Sequence, residues 1–414
     1  MQNKSIHIIW GGTVDHIRPH LSLTAPAYWQ VARNLQNLCE EQIPEMDTHL
    51  HLTKMASSWN SKLETNEDIE ELVNTLIEDY STKIIFFTAA MTDYSWNILE
   101  SWVVTKSWKD QERLSSRSGN IEALLTPKEK IIQTIRKTRK DIFLVWFKTT
   151  AWASEDEQYI KGLNLVKTAS ANLVLANDIK TRTNMIITPE EARYHVGKDR
   201  NNILENLVDM AHLRSQLSFT RSTVISWESI SWDSTEVPSS LKEIVDYCIN
   251  QGAYKEFRWS TVGHFAFKKD DTTFGTSKRK TNFNDLKTNG LVRIETDGPD
   301  SILAYGAKPS VWGQSQRIIF SENPDLDCIV HFHCPIKDWS KVPVISQREY
   351  ECWSHQCWEN TARGLIETNW IHAVYLDNHG PNIVFNRDIN PQKVIRFIQE
   401  NFDLKGKTGG PVSL

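Results

Sequence analysis

The chain has 414 residues, 40% hydrophobic and 24% charged, an ordinary globular balance with room for two or three domains of roughly 100–200 residues. A net charge of -5 and a pI near 6.2 argue against a nucleic-acid or membrane-surface partner. No run approaches the roughly 18 apolar residues of a membrane span, the opening MQNKSIHIIWGG lacks a signal peptide's long apolar core, and six scattered cysteines fit a reducing cytoplasm.

Residues 1–224 alternate short apolar runs with helical patterns. The runs are Ile6–Ile9, Ile84–Phe87, Ile142–Phe147 and Leu173–Ala176, and helices are predicted over Asn66–Asp79 and Pro127–Lys137. Continuous apolar strands alternating with helices predict a Rossmann-like, doubly wound parallel sheet. Ligands of such sheets sit beyond the carboxyl ends of the strands. Those ends carry Gly11, Gly12 and Thr13, then Thr88 to Ala90 leading to Asp93, then Lys148 to Thr150, and Asn177 with Asp178. The Ser- and acid-rich stretch SWESISWDSTEVPSS reads as a linker, taken as residues 225–240. A helix over Leu241–Gln251 follows. Strands are then predicted at Gly263–Lys268, Leu291–Glu295, Arg317–Phe320, Cys328–His333, Ala373–Leu376 and Asn382–Phe385. This gives a second α/β domain over 241–404, followed by a Gly- and Lys-rich tail, 405–414, expected to fray.

One count is abnormal: 16 tryptophans against 17 glycines. Many tryptophans follow Ser, Asn or Asp, as in Ser58-Trp59, Ser95-Trp96, Asp338-Trp339 and Asn369-Trp370. Gly is the residue expected there, because it supplies positive φ without steric cost. Were about 12 of them glycine, the glycine share would reach the usual ~7%. Most of these positions are therefore expected to be glycine in the native host, from a UGA codon read as Gly there and as Trp here. Trp353 and Trp358 fall where glycine would ease a turn, and Trp232 is expected to be genuine.

The sharpest chemical signal is CIVHFHCP. Residues i and i+2 of a strand point to one side, so His331 and His333 present two imidazoles together. His379, in DNHGP, ends another apolar strand. Three histidines and a water make a catalytic zinc site with one open position, although His-x-His by itself does not decide for a metal. The loop GTSKRKTNFND places Ser277, Lys278, Arg279 and Lys280 where a phosphate could be held by cationic side chains and backbone N–H groups, or where they simply meet solvent. In ECWSHQCWENTARG, Cys352, His355 and Cys357 have no second cysteine pair, so a helix entry with buried thiols is favoured over a zinc knuckle.

Residues 241–403 resemble the class II aldolase/adducin family. TVGHFAFK is similar to its Gly-Asn-x-Ser segment, TNGLVRIETDG to its strand into a tight turn, KPSVWGQSQRIIFSENPDLDCIVHFH to the run ending in its His-x-His pair, and DNHGP to its third metal histidine. The resemblance implies an α/β/α domain and a zinc or other divalent ion held by His331, His333 and His379. It places His264 where the family has a phosphate-binding Asn, and Trp312 where the family has its acid/base Glu. The proton-transfer residue is therefore unassigned, with Glu322, Glu349 and Glu351 as candidates. Adducin, a non-catalytic member, loses the histidines.

The first domain resembles phosphopantothenoylcysteine synthetase of coenzyme A biosynthesis over about 190 residues. IIWGGTVDHIRPH, FFTAAMTDYS, LVWFKTT and ANLVLAND carry the likeness. It implies nucleotide (CTP or ATP) or phosphate binding at Gly11, Gly12, Thr13, Asp93 and Asn177, with Lys106 and Lys109 standing for the family's lysine run. The Asn-x-Ser-Ser-Gly run of that family has no counterpart near LSLTAPAYW. The two resemblances imply glycine, expected or readily fitted, at Trp29, Trp146 and Trp312.

The combined expectation is a bifunctional cytoplasmic protein, oligomeric by analogy. Its leading activity is that of a metal-dependent aldolase- or epimerase-type lyase acting on a small hydroxycarbonyl or sugar-phosphate-like substrate. The alternatives are a nucleotide-dependent acid–amine ligase and a non-catalytic adducin-like binding module.

Overall fold

The computed structural model describes residues 3–25, 30–57, 60–100, 103–105, 112–115, 117, 119–128, 131–310 and 314–411. Trp29, Trp59, Lys106, Lys109 and Trp312 lie outside them. The chain divides into two compact units. One comprises Met1–Ala151, Asn164–Asn184 and Gly197–Ser215; the other comprises Trp152–Leu163, Met185–Val196 and Gln216–Leu414. Two short segments from the first half of the chain thus belong to the second unit, which departs from the expected division at residue 224.

In the first unit, strands β1 (Ser5–Trp10), β2 (Asp47–Leu52), β3 (Thr82–Phe87), β4 (Phe143–Thr150) and β5 (Leu173–Asp178) pair in the order β2-β1-β3-β4-β5. All four pairings are parallel. Ile6, Ile8, Ile9, Ile84, Ile85, Phe86, Leu144, Val145 and Leu173 to Ala176 are fully buried. Consecutive residues point to opposite faces, so the sheet is covered on both sides, as a parallel sheet requires. Helix α1 (Asn66–Glu78) begins with a capping box, in which Thr65 and Asp68 satisfy each other's backbone N–H groups. Its Ile69, Val73, Leu76 and Ile77 are buried at helical spacing.

The second unit is built on a ten-stranded sheet. Its strands are β6 (Arg221–Ile225), β7 (His264–Lys268), β8 (Thr273–Thr276), β9 (Val292–Thr296), β10 (Ser301–Tyr305), β11 (Cys328–His331), β12 (Val344–Ile345), β13 (Ile366–Thr368), β14 (Ile371–Leu376) and β15 (Gly380–Phe385). The order is β6-β10-β9-β8-β7-β11-β15-β14-β12, with β13 paired to β14. One face packs Phe265, Phe267, Val330, Ile383 and Phe385 against helices α2 (Ser239–Asn250) and α3 (Pro391–Asn401). The other packs Ala266, Ile329 and Val384 with Ile319, Phe320, Trp358 and Ala362. The latter four stand on the helices Gln314–Glu322 and His355–Gly364. Alternate residues of each strand feed alternate cores, giving an α/β/α arrangement.

Three expectations are corrected in this unit. Arg317–Phe320 is helical rather than extended, because a four-residue apolar run does not distinguish a strand from the buried stripe of a short helix. Residues 225–240 are not a free linker: Ile230 and Leu291 exchange backbone hydrogen bonds at 3.0 and 2.7 Å, and Trp232 and Val237 are buried in the core. The tail does not fray over 405–410. The Thr408 N–H donates to the His333 carbonyl at 3.2 Å, and Gly409, at φ +81°, packs so closely on the Glu191 carbonyl that a Cβ would stand 1.9 Å from it.

The tryptophans separate into groups. Trp152, Trp227, Trp259, Trp339 and Trp370 are exposed. Trp152 (φ 59°) and Trp370 (φ 70°) adopt the left-handed conformation, which L side chains resist and glycine takes freely. Asn369 (φ 54°) and Trp370 form the two-residue loop between β13 and β14, the setting in which Asn-Gly is preferred. Trp232 is buried and hydrogen-bonded to Asp246, as a native indole should be. Trp146 and Trp358 are buried with unpartnered indole N–H groups. Trp358 lies inside a helix rather than in a turn.

Two outcomes follow from this packing. Trp370→Gly is expected to stabilise the second unit by about 1 kcal/mol through relief of the left-handed strain, measured as a raised denaturant midpoint. In β1, buried His7 has its pKa pushed down to about 4 by burial first and then by His51 and His49, with Asp79 opposing. The neutral form is the folded form, so its contribution to stability is full above pH ~6.5 and is lost as pH falls toward 4. Melting temperature followed from pH 7 to 4 should decline, and His7→Gln should flatten that slope.

Candidate metal centre

The centre forms where three antiparallel strands run side by side. His264 on β7 stands opposite His331 on β11, and His331 stands opposite Asn382 on β15. Paired residues share a face, so one polar row crosses a sheet that is otherwise apolar there. His333 follows two residues after His331. His379 closes the loop between β14 and β15, where its N–H donates to the Leu376 carbonyl at 3.0 Å. Gly380 then lets the chain pass close to β11, since a Cβ there would stand 2.2 Å from the Phe332 carbonyl oxygen. On the other side, Gly263 (φ +113°) allows the same approach to the His331 carbonyl. Absence of a side chain at both positions draws the histidine-bearing segments together.

His331, His333 and His379 each offer a ring nitrogen within 4.8 Å of the others. Their ring centroids are 5.1 Å apart for His331–His333 and 4.6 Å for each of the other two pairs. All three are buried. The His331 Nδ1–H donates to the Pro381 carbonyl at 2.8 Å, which leaves Nε2 with a lone pair and no protein partner. His379 Nδ1 is likewise buried and unpartnered. Burial first, and then the neighbouring imidazoles, hold His331 and His379 well below the usual histidine range. A neutral imidazole is the form that binds a metal. The donor set, its burial and its unpaired nitrogens therefore fit a divalent ion of the zinc type.

His264 stacks on His331 at 4.9 Å and meets the edge of Trp358 at 5.6 Å. Both of its ring nitrogens are buried without partners, and burial, followed by His333, pushes its pKa down to about 3. Asn382 is fully buried, with both side-chain polar atoms unpartnered. Such atoms are rare in folded proteins and mark places where a ligand or water completes the pairing. Asn382 was missed in the sequence, although a lone amide inside PNIVF was a signal.

A second residue was also missed. Glu191 is buried in the same unit, and its carboxylate lies 3.4 Å from His333 Nδ1 and 2.8 Å from Lys407 Nζ. Nothing in its neighbourhood in sequence, TPEEARYH, links it to histidines more than 140 residues away. The three carboxylates considered from sequence are placed as follows. Glu322 is exposed at a helix end. Glu349 accepts from the Ser346 hydroxyl. Glu351 is buried in the turn whose Ser354 caps the following helix.

The remaining expected residues are distributed as follows. Ser277 is buried and donates to the Ser310 hydroxyl at 3.0 Å. Lys278 Nζ donates to the Ser229 hydroxyl at 2.6 Å and to the Asn289 carbonyl. The Arg279 guanidinium lies over the Trp353 ring at 5.4 Å. Cys352 and Cys357 are buried thiols at a helix entry, as expected. In the first unit, Gly11 and Gly12 leave room for no Cβ: one at Gly11 would stand 2.1 Å from Thr53 Oγ1, and one at Gly12 1.9 Å from the Ala25 carbonyl oxygen. Thr13 Oγ donates to Asn66 Oδ1 at 2.7 Å and accepts from the Thr92 N–H at 3.0 Å. Asp93 is exposed, and Asn177 is the penultimate residue of β5, where it accepts from Thr149 at 3.4 Å.

No helix among the described residues is long and apolar enough to cross a membrane. No protein-family model matches the chain, and no curated protein does. Solved structures similar to it correspond to both resemblances. One is a DNA/pantothenate metabolism flavoprotein from Streptococcus pneumoniae, 17% identical with a TM-score of 0.42, covering 50% of this chain and 98% of that one. Another is the C-terminal domain of the coenzyme A biosynthesis bifunctional protein CoaBC, at 15% and 0.36, covering 51% and 97%. L-fuculose 1-phosphate aldolase is 16% identical with a TM-score of 0.31, covering 40% of this chain and 85% of that one.

Proposed function

We propose that the protein is an enzyme whose second unit is a metal-dependent lyase or epimerase acting on a small hydroxycarbonyl substrate, with zinc held by His331, His333 and His379. The observation that carries this reading is the buried convergence of three imidazoles, two of which keep an unpartnered ring nitrogen. A divalent ion bound there supplies Lewis-acid polarisation of a carbonyl or hydroxyl oxygen. His264 and Asn382, beside His331 in the cross-strand row, supply hydrogen bonds that orient the substrate's oxygens. Burial around them excludes water and strengthens those bonds. Glu322, Glu349 and Glu351 stay candidates for proton transfer, and Ser277, Lys278 and Arg279 for a substrate phosphate. The same triad weighs against a non-catalytic binding module, which has no use for it.

A second reading concerns the first unit. Thr53 and Thr88, just past the carboxyl ends of β2 and β3, have buried hydroxyls without partners. With Gly11 and Gly12 beside them, that end of the sheet suits a nucleotide or phosphate. CTP or ATP binding and ligase chemistry follow from this reading, with Asp93 and Asn177 at its edge. We also propose, by analogy only, a homo-oligomer in the cytoplasm.

Purified protein should take up close to one equivalent of zinc, with His331→Ala losing it. Zinc-dependent cleavage or epimerisation of hydroxycarbonyl phosphates should vanish in the same variant. Wild-type protein that binds no divalent ion, or His331→Ala protein that binds it equally well, rejects the reading. CTP or ATP raising the melting temperature would support the second site independently.

A further inference from the structure

We infer that Glu191 is the positioning residue of the histidine centre: its carboxylate accepts the His333 Nδ1–H and so turns His333 Nε2 toward the ion. The inference rests on the metal reading above. It assigns a role to a segment, Met185–Val196, that precedes the histidine triad by more than 130 residues yet belongs to the same compact unit.

Glu191 is held from several directions. It sits at φ +68° in a tight turn, where its N–H donates to the Thr188 carbonyl and Thr188 N–H to the Ala192 carbonyl, both at 3.1 Å. Tyr159 Oη donates to the Glu191 carbonyl at 2.6 Å, and Gly409 packs against that same carbonyl. A non-glycine residue in this conformation persists only where its surroundings over-determine it, commonly at functional sites. The side chain is 1% exposed. Its Oε2 reaches His333 Nδ1 at 3.4 Å and Lys407 Nζ at 2.8 Å. The Lys407 side chain is also buried, and the neighbouring Thr408 N–H binds the His333 carbonyl at 3.2 Å. His333 is thus fixed at backbone and ring by two segments that contribute no ligand.

The chemistry of ligating histidines explains the arrangement. Such a ring commonly donates its second N–H to a carboxylate or carbonyl, which selects the tautomer and raises the basicity of the ligating nitrogen. His331 uses the Pro381 carbonyl for this purpose, and Glu191 is the corresponding acceptor for His333. Lys407 balances the buried carboxylate, which would otherwise be an uncompensated charge in the interior.

The test compares full-length wild-type, Glu191→Ala, Glu191→Gln and His331→Ala proteins. Zinc affinity is measured by competition with a chromophoric chelator, and the ligand field by visible absorption of the Co2+-loaded proteins. Glu191→Ala should weaken zinc binding by about 10–100-fold and shift the Co2+ bands. Glu191→Gln keeps an acceptor oxygen but not the charge, so it should recover part of the loss and remain at least ~3-fold weaker than wild type. Thermal unfolding of the metal-free proteins identifies a variant that does not fold, and Glu191→Gln then carries the test alone. Wild-type zinc affinity and an unshifted Co2+ spectrum in the Glu191 variants, with His331→Ala unable to bind, overturn this inference and leave the metal reading intact. If wild-type protein binds neither zinc nor Co2+, both fall.

Discussion

Burying three imidazoles around one point is costly unless each stays neutral and each ring nitrogen facing away from the others finds a partner. The second unit is organised around that condition. His331 donates its Nδ1–H to the Pro381 carbonyl, and His333 has the Glu191 carboxylate. Two glycines without room for a side chain bring the neighbouring segments close enough. The sheet on either side is filled with Phe, Ile and Val, a setting that disfavours an imidazolium. Low pKa values and unpartnered lone pairs are therefore two consequences of the same packing.

The same condition explains why remote parts of the chain converge on the centre. His331 on β11, His333 just beyond it and His379 in the loop before β15 supply the triad, and His333 meets a carboxylate from elsewhere in the unit. That carboxylate comes from a strained turn in the first half of the chain and is balanced by a lysine from the C-terminal tail. The tail's glycines are needed because a side chain at Gly409 would collide with the Glu191 carbonyl. The order of the tail and the left-handed turn at Glu191 are thus parts of one arrangement.

Features set by periodicity were legible in the sequence. Four of the five parallel strands of the first unit appear as unbroken apolar runs, because burial on both faces removes alternation. The His331/His333 pair was expected from the two-residue repeat of a strand over Cys328–His333, but β11 ends at His331 and His333 lies two residues beyond it; the helix entry with buried thiols was expected at Cys352 and Cys357. The third histidine was read from its place at the end of an apolar strand, and the family likeness then joined it to the pair. What escaped depends on tertiary neighbours. RIIF becomes helix because Ile319 and Phe320 face a core that its own short pattern cannot reveal. The stretch 225–240 looks like a linker in composition, yet Ile230 and Trp232 enter the core through bonds to Leu291 and Asp246. Glu191 is invisible to any local rule, since its chemistry exists only once Met185–Val196 has joined the second unit.

The proposed lyase reading leaves a gap at the centre, a group to carry the proton. Glu191 does not fill that gap simply by being near. A proton carrier must gain and lose its proton without dismantling its surroundings, whereas the Glu191 carboxylate is shared between an ammonium at 2.8 Å and an imidazole at 3.4 Å. Protonating it would break the pair with Lys407 and leave that buried ammonium unbalanced. Its setting suits a fixed acceptor. In the proposed reading the proton carrier is sought among Glu322, Glu349 and Glu351. His264 and Asn382, whose polar atoms in the row are still unspent, orient substrate oxygens in that reading. The orienting residue and the proton carrier are then different groups, because a carboxylate tied to both a lysine and a histidine suits the first role and not the second.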